Sequence, residues 1–560
     1  MRTLGTGLIA VVFGMACQAG MACQAPPPGK VYEDRAETAG KPGKDPEFTA
    51  TAHREAYARL LDDVVEPLRL SDPIAAAQIG RGKLAAAPLS LVERHALASA
   101  LAPIWSSVGE IDETALAPEQ VVVLRSLRFG LGRLHDEVER RPKVRMEPLA
   151  AVSALEELVG EIEFRLIQGE CDEACGASLV GLSDTLTSAH QQLGAASVAS
   201  TREAAKRAQA LAGRLRGLAD RSGTPSFVDA ATALDAHAGQ LDVLAEGLSD
   251  ADLLEWSTIA PSVGDSVRRL PDPLGERALT RLLGVEERID TPVAKLWSLT
   301  RQHVSRWQRM RGEMVVAELG ADPSLPLDLA RCSAAQQRIA AGLAAIAEVD
   351  PAKLDCERWL KFRGQVAMSE GELVLALLDE GWIEPQRRRI RSEELPGLAL
   401  VTGQWSAQVH RHLRRVMLLA RLDEPHARAR ALDEGRAALC LASAALWIHG
   451  QVGPRDELRL MLGPDCGMLG DAKAAEAMVL ADPRGALAGL GLALIGDEPA
   501  AMAGFDRFWW APLGLMRLLA TPTGVHPDVF RLPSEEAQAS EDALEVEVKI
   551  EDLDPEAPLE

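Results

Sequence analysis

The stretch DTPVAKLWSLTRQHVSRWQRMRGEM, residues 290–314, has a clear helix pattern. Thr291 can cap the start of a helix, and Pro292 suits the first turn, where the backbone needs no donor. Apolar side chains then recur every three or four residues, which is the spacing of a helix with one buried face. The residues at this spacing are Val293, Leu296, Trp297, Thr300, Val304, Trp307 and Met314.

A composition that favours helix extends through the rest of the chain. Hydrophobic residues make up 47% of the 560 residues and aromatic residues only 4%. The apolar share is mostly alanine and leucine, which lose little on entering a helix, whereas β-branched and aromatic residues prefer strands. We find no run of alternating strands that indicates a parallel sheet. The sequence therefore predicts a mainly α protein, a multi-helical bundle or shell with little or no β-sheet.

One strand-like pattern lies near the C-terminus. Leu544, Val546, Val548 and Ile550 alternate there with charged residues. Such a segment could add to a sheet edge on this protein or on another. The acidic composition around it favours disorder instead.

Acidic charge is concentrated in the same tail. The formal net charge is −22, and residues 534–560 hold eleven acidic residues and one lysine. Nucleic-acid binding needs a basic surface that neutralises phosphates. The arginine clusters at 387–389 and 411–415 are interpreted as solvated helix faces. We therefore predict no nucleic-acid partner.

Length and punctuation by glycine and proline predict several regions. We expect a signal peptide at residues 1–16 and a lipid anchor with a disordered Pro/Gly linker at 17–46. An N-terminal helical region follows at 47–320 and a C-terminal helical region at 321–533. The acidic tail at 534–560 is expected to be disordered.

The N-terminus has the pattern of an export signal. Arg2 supplies a positive charge, and residues 8–13 (LIAVVF) form an apolar run. That run is too short to span a bilayer, which takes about 20 apolar residues. The chain is therefore predicted to be exported.

A cysteine follows the apolar run directly. The sequence GMAC occurs at residues 14–17 and again at 20–23. Small residues before a cysteine at this place resemble the lipobox of bacterial lipoproteins, although glycine stands where that motif usually has leucine. The predicted lipidated residue is Cys17, with Cys23 as the alternative. A plain cleaved signal peptide is the competing interpretation.

The segment after the anchor supports a tether. It is polar and rich in proline and glycine, as in PPPG at residues 26–29, so it cannot bury enough apolar surface to order itself. We expect a bacterial cell-envelope protein, periplasmic or surface-facing, whose membrane contact is the N-terminal lipid.

Six further cysteines would meet an oxidising compartment, which permits disulfides. Cys171 and Cys175 lie in a polar, glycine-flanked stretch and are the predicted disulfide. A structural zinc site is less favoured, because it needs four ligands and no second close pair is present. Cys440 lies in an alanine- and leucine-rich helix and is predicted to be a buried small apolar residue.

The order of several segments resembles a bacterial family of zincin-like proteins, domain-of-unknown-function family 885, many of which are exported lipoproteins. The resemblance covers about residues 50–520 and rests on order and spacing. The matching segments are DPIAAAQIG (72–80), LGERAL (274–279), TPVAKLW (291–297), ADPRGAL (481–487), FDRF (505–508) and LG (513–514).

Family members with the full motif set are expected to be zinc metallopeptidases. Their His-Glu-x-x-His helix places two imidazoles and a base at one metal. None of the eleven histidines here is followed by glutamate or has a histidine four residues later. The resemblance therefore implies a degenerate member that keeps a helical frame, and no catalytic residue is predicted.

Weak metal candidates remain. They are His410, His449 and Glu380, with His412 beside the first. His410 and His412 point to different sides of a helix, and neighbouring arginines repel a cation. We therefore predict no cofactor, with zinc as the alternative.

The resulting prediction is an exported lipoprotein that binds a peptide or protein ligand without catalysis. One alternative is a metal-dependent hydrolase or peptidase with an atypical zinc site. The other is a structural component of the envelope.

Overall fold

The computed structural model describes a set of ranges along the chain. They are residues 50–78, 80, 82–86, 91–135, 148–169, 173–193, 195–248, 267–287, 289–314, 319–343, 355–364, 366–378, 422, 425–469 and 472–495. The predictions for the signal peptide, the linker and the acidic tail lie outside these residues.

Helices dominate the described residues, which confirms the mainly α prediction. The first ten helices are α1 (Ala50–Asp63), α2 (Val65–Ser71), α3 (Pro73–Gln78), α4 (Leu91–Val108), α5 (Pro118–His135), α6 (Pro148–Gln168), α7 (Glu173–Ala177), α8 (Leu182–Gln191), α9 (Val198–Ser222) and α10 (Pro225–Leu248). The next ten are α11 (Glu276–Glu287), α12 (Val293–Glu313), α13 (Leu329–Leu343), α14 (Cys356–Arg363), α15 (Glu370–Leu377), α16 (Pro425–His449), α17 (Leu458–Leu462), α18 (Ala472–Ala481), α19 (Pro483–Ala486) and α20 (Leu490–Ile495).

Four short strands form two small sheets. In the first, β1 (Ala195–Ser197) pairs in parallel with β2 (Arg268–Leu270), with Ala196 opposite Arg269. In the second, β3 (Leu325–Pro326) pairs antiparallel with β4 (Ala367–Met368), with Leu325 opposite Met368. These sheets are consistent with the expectation of little β-structure.

Helix α12 is the predicted long amphipathic helix. Its buried residues are Val293, Leu296, Thr300, Val304 and Trp307. The helix begins one residue later than the sequence indicated. Pro292 occupies the N-cap position and no side chain caps the first turn, so the expected cap by Thr291 is wrong.

Two clusters of buried apolar residues form the interior. The first core draws on α6, α8, α9 and α10, with residues from Leu149 to Leu241 and one earlier residue, Ile74. The second core draws on residues from Tyr57 to Ala493, and α16 contributes most densely to it.

Helix α16 allows unusually close approaches. A Cβ at Gly435 would overlap the ring of Trp307 on α12, and one at Gly489 would overlap the backbone of Ala438. Only glycine fits such contacts without displacing a neighbour. The small residues of α16 therefore set the spacing of the second core.

Two disulfides connect elements of the second core. Cys332 of α13 bonds Cys356 of α14, and Cys440 of α16 bonds Cys466 in the 3₁₀ segment Pro464–Leu469. The interpretation of Cys440 as a plain apolar residue is therefore wrong, although the residue is buried as expected. Its partner lies 26 residues away, a separation that sequence spacing could not identify.

Cys175 is also disulfide-bonded. Its predicted partner, Cys171, lies outside the described residues, so that pairing remains a prediction.

No single helix among the described residues has both the length and the apolar composition needed to cross a membrane. The helix pair Ala472–Ala481 and Pro483–Leu494, bent by 119°, meets those two criteria only when taken together.

Candidate functional site

His449 is the one weak metal candidate that lies within the described residues. It ends α16 and has 0% exposure. The backbone N–H of Leu274 donates to its Nδ1 at 3.0 Å, and its Nε2 donates to the carbonyl oxygen of Val479 at 3.0 Å. These two bonds require a neutral ring with its proton on Nε2.

The surroundings keep that ring neutral. Burial lowers the pKa of His449 to about 4, with Arg455 adding to the effect. The Val479 carbonyl and Asp272 act in the opposite direction and offset part of the shift. A neutral imidazole has one free lone pair, here on Nδ1, and the Leu274 amide already occupies it. In this arrangement His449 connects three chain segments.

The other metal candidates, His410, His412 and Glu380, lie outside the described residues. Within the described part of the chain, no three histidine, cysteine, aspartate or glutamate side chains group closely enough to hold a metal ion.

The segment before α11 approaches both cores. Leu274 bonds His449 of the second core, and Asp272 accepts a hydrogen bond from the N–H of Ala199 at the start of α9, at 3.1 Å. Trp447, two residues before the end of α16, packs against Trp297 of α12 with ring centroids 5.3 Å apart. Its indole N–H donates to the Pro454 carbonyl at 2.8 Å. Three of the family-like segments, beginning at residues 274, 291 and 481, thus contribute to packing around α16.

Arg207 connects the two cores through charge. Its guanidinium lies 2.7 Å from a carboxylate oxygen of Asp482, 3.0 Å from Glu203 and 3.7 Å from Glu156. Burial raises the pKa of Glu156, while Arg207 and Arg214 act to lower it. Asp482 also caps α19 by accepting from the Gly485 N–H at 2.9 Å. The charged groups of this cluster pair with one another, so we interpret the cluster as structural.

A second charged cluster surrounds the start of α15. Ser369 and Glu372 form a capping box there. Asp322 accepts from the Glu370 N–H at 2.8 Å and lies 3.6 Å from Nδ1 of His426. Arg331 donates to Glu370 and to the Met368 carbonyl, which fixes β4 against α13.

The surface beside this cluster exposes apolar side chains. Leu325 is 47% exposed, Leu329 44% and Val366 38%. The Leu327 N–H donates to the Val366 carbonyl, so the three residues lie on neighbouring segments: in β3, just before β4 and at the start of α13. Exposed apolar groups that lie together are typical of interaction surfaces.

Sequence reasoning missed a histidine pair at the first core, in which His237 is buried and His190 is half-buried. His190 of α8 and His237 of α10 have ring centroids 6.0 Å apart. The signal was present, because His237 lies at helical spacing with the buried residues Leu234 and Leu241. A histidine in an apolar stripe of this kind identifies a buried imidazole.

Comparison with known proteins identifies no family for this chain. No protein-family model matches the chain, and no curated protein matches it. The resemblance to family 885 therefore stays a prediction.

Two solved structures are similar to this one, both described as lipoproteins. The first, of unknown function and from Shewanella oneidensis, is 12% identical, with a TM-score of 0.46 over 82% of this chain and 98% of that one. The second, from Colwellia psychrerythraea, is 10% identical, with a TM-score of 0.48 over 88% of this chain and 99% of that one. The chain thus has structural similarity to bacterial proteins described as lipoproteins.

Proposed function

We propose that this protein is exported, held at a membrane by lipid on Cys17, and acts by binding a peptide or protein rather than by catalysis. The observation that supports export is the state of the cysteines. All five that the structure describes, Cys175, Cys332, Cys356, Cys440 and Cys466, are disulfide-bonded. Such bonds persist outside the cytoplasm and are reduced inside it.

Two observations support binding over catalysis. The zinc-binding motif that the family resemblance would require is missing from the sequence. The described metal candidate, His449, uses both ring nitrogens in hydrogen bonds to backbone groups. The apolar surface formed by Leu325, Leu329 and Val366 is the place where we expect a peptide or protein to bind.

Catalysis is tested on the purified full chain in detergent. We expect no hydrolysis of a mixed peptide library, with or without added zinc. Metal-dependent cleavage that disappears on His449→Phe, in a variant that stays folded, would overturn the binding proposal in favour of an atypical hydrolase.

The anchor is tested by removing both acceptor cysteines. Each buried methylene of an acyl chain adds about 0.8 kcal/mol to membrane binding, and several chains on one cysteine hold a protein firmly. We expect the wild-type chain in the membrane fraction after a high-salt wash, and the Cys17→Ser, Cys23→Ser double variant in the soluble fraction.

Single substitution of Cys17 serves as the comparison, since the repeated GMAC sequence offers Cys23 as a second acceptor. Intact mass measurement shows whether the leader has been removed from each variant. A double variant that has lost its leader and still stays in the washed membrane would contradict lipid anchoring.

A further inference from the structure

The contact between α8 and α10 buries the imidazole of His237 in an apolar interior and partly covers that of His190. His237 is 3% exposed, and the ring of His190 stands nearly perpendicular to it, at 88°. The neighbouring core residues Leu186, Leu234 and Leu241 are buried. Neither histidine belongs to the charged clusters or to the packing around His449.

Three of the four ring nitrogens in this contact are buried without hydrogen-bond partners among the described residues. Within the described residues, both nitrogens of His237 and Nδ1 of His190 are buried without one. A buried polar group without a partner is costly, and a charged one costs far more. The site therefore tolerates neutral rings and opposes protonated ones.

Nearby charged groups do not offset the cost of protonating the buried ring. The titratable group that acts on His237 is His190, which opposes its protonation. The Gln240 side chain favours protonation but forms no hydrogen bond with the ring. Helix α7, which also packs against α10, contains one charged residue, Glu173. Asp184, Asp229 and Asp242 of α8 and α10 are exposed, and half-buried Asp235 of α10 is ion-paired with exposed Arg216 of α9. The half-buried Glu203 and Arg207 of α9 pair with each other, and Arg207 also pairs with Asp482.

We propose that the contact between His190 and His237 is an acid-sensitive element, which loosens α8 from α10 as the surrounding pH falls below neutral. Opening the contact exposes both rings to water, where they accept protons freely. Acid therefore favours the open arrangement. Two rings this close also repel each other once both are charged, which adds to the opening.

The direction in which pH changes the strength of this contact follows from proton linkage. Burial, with repulsion from His190, lowers the pKa of His237 to about 4, and burial also lowers the pKa of His190. An opened histidine titrates near its usual value of about 6.5. The contact is thus at full strength above about pH 6.5, weakens as the pH falls, and reaches its minimum near pH 4. Between pH 8 and pH 5, His237 alone raises the opening equilibrium about 30-fold.

Amide hydrogen exchange on the full chain measures this opening segment by segment. Rates at pH 5 and pH 8 are divided by the intrinsic chemical rate at each pH. We expect peptides from α8 and α10 to open about 30-fold more readily at pH 5. In His237→Phe, which keeps a ring of similar size and removes the titrating group, we expect most of that response to vanish.

The same molecule contains a matched control. Peptides around α16 and α18 report the acid response of His449, which lies in the second core and is unchanged by His237→Phe. A response in α8 and α10 that persists in this variant would overturn the proposal, and so would a wild-type chain with no response there.

A measurement on the wild-type chain keeps the proposal testable if the variant does not fold. Exchange of the imidazole C2 hydrogen, followed by mass spectrometry, gives the titration of each histidine. We expect His237 to titrate well below His190 and below the ordinary range. Titration of His237 at about 6.5 or above would rule out the mechanism.

Discussion

Replacing His449 with phenylalanine is expected to lower the free energy of unfolding by about 2 to 4 kcal/mol at neutral pH. The substitution removes two hydrogen bonds and leaves the Leu274 N–H and the Val479 carbonyl without their partner. Each unsatisfied group costs about 1 to 3 kcal/mol, and the Leu274 end, which is only half-buried, contributes less. Urea denaturation followed by circular dichroism measures the change.

His426→Phe is the matched control, because His426 lies at the opposite end of the same helix. Its side chain is 21% exposed and makes one long contact with Asp322. We expect a loss below about 1 kcal/mol there. Equal losses for the two variants would contradict the role assigned to His449.

The same residue accounts for part of the expected dependence of folding stability on pH. Its folded pKa of about 4 lies below the unfolded value of about 6.5, so the unfolded chain binds the proton more readily. Stability is therefore lost as the pH falls from about 6.5 to about 4, by roughly 3 kcal/mol from this group. The His449→Phe variant should lack that portion of the acid response.

The second large effect concerns the disulfide Cys440–Cys466. Replacing both cysteines with alanine opens a loop of 26 residues and should cost about 3 kcal/mol, mainly because the unfolded chain gains freedom. Loss of packing in the second core adds to this, since both residues are buried. Thermal unfolding under non-reducing conditions gives the change.

The double replacement of Cys332 and Cys356 is a close comparison, with a separation of 24 residues. We expect a loss of similar size, because loop-closure entropy changes little between these lengths. Reductant added to wild-type protein should have little effect until the protein unfolds, since all four residues are buried. Rapid reduction of the folded chain would show that this part of the second core opens locally.

The sequence predicted the helical class because helix periodicity is local. The buried face of α12 could be read directly from its apolar spacing. The partner of Cys440 could not be predicted, because it depends on how α16 meets a segment 26 residues further on. The lack of hydrogen-bond partners for the ring nitrogens of His237 could not be predicted, for a similar reason. An imidazole is left without partners only when the facing helix supplies none, and spacing along one helix does not show that.

His449 was considered as a metal ligand because histidine is the side chain that most commonly binds metal ions in proteins. Its two actual partners are backbone groups, of Leu274 and Val479. Backbone donors and acceptors are present at every residue except proline, so no sequence motif marks them. A structural role for a buried histidine can therefore be recognised only from the three-dimensional contacts.

The two cores differ in how far apart along the chain their residues lie, and this has a consequence for the order of folding. Apart from Ile74, the first core uses residues between Leu149 and Leu241, so its helices meet neighbours close in the chain. The second core joins Tyr57 to Ala493 and cannot close before the C-terminal helices are available. Chains emerging N-terminus first would therefore assemble α6 to α10 early, whereas the faces of α12 and α15 that pack against α16 stay uncovered until α16 is available. During that interval α12 and α15 expose apolar residues, and a holding chaperone would have its greatest effect there.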